Sequence, residues 1–164
     1  MKKIITFLLV FIFTITLSSC SGYNKIMRNH LSDPSSFCEY IVEVQEIAIS
    51  QYDSNRLGVF VKFFSKEEYA KFNGVSAENI TLAPEDYLII LEIRGDNFKE
   101  VCDNGLMEEI QPGDIIEVVA SNWIYMDGDF FYIIGLSKDN KEYLNKDEGL
   151  QNLIDYMNEN KSLL

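Results

Sequence analysis

Apolar and polar residues alternate with two periods along this chain, and the changes of period divide it into strands and helices. Phe37 to Ser50 alternates as a strand, with Tyr40, Val42 and Val44 on one face. Ile47 and Ile49 have the opposite parity, so the apolar face switches near Gln45-Glu46, as a bulge or bend would make it do. After the turn "QYDSNR", a second strand carries Leu57, Val59, Val61 and Phe63 on one face and Phe60, Lys62 and Phe64 on the other. Within the polar stretch that follows, Lys66 to Phe72 suits a short helix, with Ser65 as N-cap and Glu68 at the capping-box position.

A third strand, "YLIILEI", is almost wholly apolar, as a strand covered on both faces would be. "RGDN" turns the chain, and "NFKEVCDNGLMEEI" predicts a helix interrupted near Asn104-Gly105. Pro112-Gly113 is a turn. Asp114 to Tyr125 then predicts a strand, Met126 to Asp129 a hairpin connection, and Phe130 to Leu136 another strand, because Asp-Gly between two apolar runs favours a tight hairpin. Asn145 and Glu148 have capping-box spacing before a helical stripe of Leu150, Leu153, Ile154 and Met157. No internal repeat or low-complexity segment interrupts this order.

The order is three strands, a helix, two strands and a terminal helix. A kinked first strand serving two sheet halves, with a helix between strands three and four, resembles the OB-fold, and "IQPGDIIEVVA" resembles the segment by which many OB-folds leave that helix for strand four. The expected fold class is therefore mainly β: a five-stranded OB-like barrel at 37–136, with a C-terminal amphipathic helix at 137–164 packed on it.

The N-terminus has a different pattern. Lys2 and Lys3 precede an apolar run, Ile4 to Leu17, which is shorter than the ~20 residues of an ordinary membrane-spanning helix and suits a secretory leader. Leu17-Ser18-Ser19-Cys20 resembles the bacterial lipobox. That resemblance implies a signal peptide at 1–19, cleavage before Cys20, a lipid (diacylglyceryl, with palmitate-type acyl chains) on its thiol, and a membrane-anchored body outside the cytoplasm. Multiple acyl chains anchor stably because each buried CH₂ contributes about 0.8 kcal/mol. Residues 20–36 form a tether containing a short helix, whose face would be Tyr23, Ile26, Met27, His30 and Leu31.

Losing Lys2 and Lys3 with the leader leaves 12 basic against 26 acidic side chains, a formal charge of −14. Such a body repels nucleic acid, so no nucleic-acid partner is expected. Outside the cytoplasm Cys38 and Cys102 are free to form a disulfide, worth ~4 kcal/mol on the chain-entropy model; two separate buried thiols are the alternative. The OB-fold resemblance implies that the two cysteines are neighbours, one at the start of strand one and one in the helix.

Catalytic patterns are absent. His30 is the only histidine, neither zinc-ligand spacing nor a glycine-rich phosphate loop occurs, and no cofactor is expected. Asp127 and Asp129 flank Gly128 and form a weak candidate for a hard cation. Trp123, Tyr125 and Tyr132, around the last hairpin, are the candidate contacts for an envelope protein, peptide or glycan, since aromatic rings give large contact area at small entropic cost; the alternative is that these rings pack under the C-terminal helix, whose Leu150, Leu153, Ile154 and Met157 need a surface to cover. The expected role is binding or scaffolding at the cell envelope. The alternatives are a structural accessory subunit of an envelope complex, or an enzyme using converging carboxylates.

Overall fold

The structure is a computed structural model that describes residues 29–50, 55–121 and 131–159. Cys20, the tether face up to Met27, Trp123, Tyr125, and the Asp127–Asp129 hairpin lie outside the described residues. Among the described residues, six strands form one antiparallel sheet: β1 (Phe37–Ile49), β2 (Arg56–Phe63), β3 (Leu88–Arg94), β4 (Ile115–Ser121), β5 (Ile133–Lys138) and β6 (Lys141–Leu144), in the order β3-β2-β1-β4-β5-β6. Among the described residues they are accompanied by the α-helices α1 (Lys66–Phe72), α2 (Asp96–Asp103), α3 (Leu106–Glu109) and α4 (Lys146–Glu159), besides three short 3-10 turns.

Strand β1 is the hinge of the fold. Its first half pairs with β4, from Phe37↔Ser121 to Glu43↔Ile115, and its second half pairs with β2. The β1–β2 register slips between Val44 and Glu46, so Gln45 is an extra residue and Ile47 returns to the inner face opposite Val59. The bulge bends one strand across both halves of the sheet. A parallel bridge between Glu92 and Tyr132, with the Glu92 N–H donating to the Phe131 carbonyl at 2.6 Å, then brings β3 to the start of β5. The fold is thus mainly β, one six-stranded antiparallel sheet with accompanying helices, curled into a loose barrel that this single bridge does not close.

The main core fills the inside of this curl. Tyr40, Phe63 and Phe72 meet edge-on or tilted at 5.2–5.6 Å between centroids. Phe72 comes from α1, whose N-terminus is held as expected: Ser65 Oγ accepts from the Glu68 N–H at 3.1 Å and donates to the Glu68 carboxylate at 3.0 Å. The helix between β3 and β4 breaks at Gly105 (φ 82°) into α2 and α3, which send Val101 and Leu106 into the same core. A second cluster lies under α4, where Leu153 and Met157 cover Ile134, Tyr132, Phe37 and Leu31.

Two expectations need correction. The segment 137–164 is not helix alone, because Lys138 turns through Asp139 and Asn140, both at positive φ, into the sixth strand. Strand β3 is not covered on both faces: Leu88 and Ile90 are about half exposed, because α4 lies over β5 and leaves the outer face of this part of β3 bare.

Candidate functional site

Strand alternation puts Glu39 and Ile41 of β1 on the outer face, since Tyr40 and Val42 point into the core. The register places Val119 and Glu117 of β4 opposite them, and Gly135 and Ser137 of β5 opposite those in turn. Glu142 of β6 faces Ser137. Together with Glu68 from α1 and Lys146 at the start of α4, these residues line a hollow of about 580 Å³. Ile41, half exposed, and Val119 supply apolar surface inside it. Gly135 permits the close approach of the walls: a Cβ there would meet Val119 Cγ2 at 3.0 Å and Lys146 Cβ at 3.5 Å.

The rim is acidic. Four carboxylates face one ammonium, and the single ion pair among them, Lys146 Nζ to Glu39 Oε1, is long at 3.8 Å. Glu117 accepts from Ser137 Oγ at 3.4 Å, Glu142 from Asn145 Nδ2 at 3.1 Å, and Glu68 from Ser65 Oγ at 3.0 Å. Each acid therefore has a different local partner and none is hydrogen-bonded to another. Among the described residues, no group of three or more His, Cys, Asp or Glu side chains could hold a metal ion. The arrangement offers negative potential over an apolar surface, which suits binding better than paired acid–base chemistry.

A second feature lies on the same outer face of the sheet, at its β2–β3 end, since Glu43 of β1 pairs with Lys62 of β2. Phe60 pairs with Ile90 and Lys62 with Leu88, forming an apolar strip on β2 and β3. At its end Glu92, 5 % exposed, is gripped by Arg56 and by Arg94, whose Nη2 and Nε lie 2.7 and 2.8 Å from its carboxylate. Arg94 also lies over the Tyr132 ring, 5.4 Å from its centroid.

Of the sequence candidates, Tyr132 is the one partner-contact residue within the described structure, and it is 2 % exposed beneath α4. Burial pushes its phenol up to about 12. It is a packing residue, because the apolar stripe of α4 covers it. Cys38 and Cys102 are free thiols rather than a disulfide: Cys38 borders the main core, whereas Cys102 lines a hollow beside Gly95 and Tyr156. His30 is half-buried with Ser36 Oγ 3.2 Å from its Nδ1, and burial lowers its pKa. Arg94-Gly95-Asp96 serves the turn, with Gly95 at φ 61° and Asp96 opening α2.

Sequence reasoning missed the groove. Its signal was present as Glu39, Ile41 and Glu43 alternating with the core residues, but the cross-strand register that gathers Glu39, Glu117 and Glu142 is not contained in any one segment. Among the described residues, no helix is long and apolar enough to cross a membrane. The chain matches no protein-family model, no curated protein and no solved structure.

Proposed function

We propose that this chain is a lipid-anchored lipoprotein of the bacterial cell envelope, held outside the cytoplasm by Cys20, that binds a partner through the groove of β1, β4 and β5. The lipobox pattern supports the anchor. The observation that carries the binding role is the groove itself, a hollow of about 580 Å³ with an apolar interior and an acidic rim. The test is fractionation and co-purification of the full chain beside Cys20→Ser and E39Q/E117Q/E142Q variants. Cys20→Ser is expected to leave the membrane fraction. The triple variant is expected to stay there and lose its co-purifying partner. Retention of the same partner by the triple variant contradicts the groove as the binding face.

A second reading, a structural accessory subunit, is favoured by the bare apolar strip of Phe60, Leu88 and Ile90, since exposed contiguous apolar surface marks protein contacts. Ile90→Asp would then abolish assembly and leave groove binding intact.

A further inference from the structure

Resting on the groove as the binding face, we infer that its occupant is an extended protein segment carrying lysine or arginine at alternate positions. Two observations lead there. First, the lining pairs apolar surface, Ile41 and Val119, with three carboxylates in excess of its single ammonium. A lysine or arginine side chain has the matching construction, because its hydrocarbon stem lies on apolar surface while its charged head reaches outward. A purely apolar ligand would leave the carboxylates without cations, and an anionic one would be repelled.

Second, the carboxylates are spaced for a strand. Glu39 lies opposite Val119, so Glu117 is its diagonal cross-strand neighbour. Such diagonals are about 7–8 Å apart. In an extended peptide, side chains two residues apart on one face are separated by roughly 6.5 Å. Successive basic residues on one face thus reach Glu39 and Glu117 together, with the intervening stems over Ile41. Glu142 continues the acidic row on β6, opposite Ser137.

The experiment is fluorescence anisotropy of a labelled, alternating lysine–leucine hexapeptide titrated with the full chain in phosphatidylcholine nanodiscs. The glutamate–leucine counterpart is run beside it, and free spermine is used as a competitor. Two variants remove equal charge: E39Q/E117Q/E142Q within the groove, and E67Q/E78Q/E85Q on exposed sites outside its lining. The groove triple is expected to weaken the lysine peptide ~10-fold, the sum of three exposed ion pairs, and the control triple less than twofold. The glutamate peptide is expected not to bind. Equal weakening by both triples would show attraction to net charge alone and overturns the inference. So does binding of spermine as tight as that of the peptide, which would show that no protein segment is required. Absence of lysine-peptide binding, while a partner still crosslinks to position 41 in cells, overturns the occupant and leaves the groove's binding role standing. Thermal melts of both triples confirm equal folding.

Discussion

Gly149 of α4 lies directly against the backbone of Ile134 in β5, so closely that a Cβ on Gly149 would overlap the Ile134 carbonyl oxygen. Asn97 fixes the same point from the other side, its amide donating to the Gly149 carbonyl at 2.8 Å. This contact sets how deeply α4 seats on the sheet, and with it the position of Lys146 at the groove. In an open helix Gly149→Ala would stabilise by about 1 kcal/mol through helix propensity. Here the overlap decides the sign, and a net loss of about 2 kcal/mol is expected in urea denaturation, as for overpacked interiors.

The buried carboxylate of Glu92 makes the second prediction. Removing it takes from the mostly buried Arg94 the carboxylate that meets both its Nη2 and its Nε, so Glu92→Ala is expected to destabilise by about 3–5 kcal/mol. Arg56→Ala, at a side chain 37 % exposed, is expected to cost clearly less because water can replace it. Equal losses in denaturant titrations would contradict this division.

The thiols give a direct chemical check. Alkylation of denatured, unreduced protein is expected to modify both Cys38 and Cys102, as read by peptide mass spectrometry. In the native protein Cys102 is expected to react slowly near pH 8, because burial and the nearby Glu108 and Asp103 raise its pKa above the ordinary 9.0. Recovery of a Cys38–Cys102 linked peptide would overturn the assignment of free thiols.

Acid is expected to loosen the β5–β6 hairpin first. Lys141 and Tyr143 hold the Glu109 carboxyl below its ordinary 4.5, and Lys138 with the Gln111 N–H holds Asp114 below 3.8. A carboxylate with a lowered folded pKa contributes stability that is present above its unfolded value and is lost as pH falls through the folded one. The melting temperature should therefore drop as pH descends below about 4.5. A Lys138→Met/Lys141→Met variant should show a shallower drop over the same range.

The sequence was most legible where one segment contains its own constraint. The parity change between Val44 and Ile47 placed a bulge or bend near Gln45-Glu46, Ser65 and Glu68 placed the start of α1, and Asn104-Gly105 marked the helix break. Strand β6 was missed because Lys141-Glu142-Tyr143-Leu144 is short and half charged, although Asp139-Asn140 is suited to the positive-φ turn it makes. Tyr132 could be a partner contact or a ring packed under the C-terminal helix, and alternation alone does not choose between them. The docking of α4, a contact between distant segments, decides it: Leu153 and Met157 cover the ring, as their need for a surface suggested. The groove depends on three cross-strand registers at once, and no single period reveals it.

The most direct measurement is site-specific photo-crosslinking in living cells from position 41, inside the groove, and from position 78, outside its lining. The account predicts a discrete adduct from position 41 that disappears in the E39Q/E117Q/E142Q background and does not arise from position 78. No adduct from position 41, or the same adduct from both positions, would contradict the groove as the face by which this protein works.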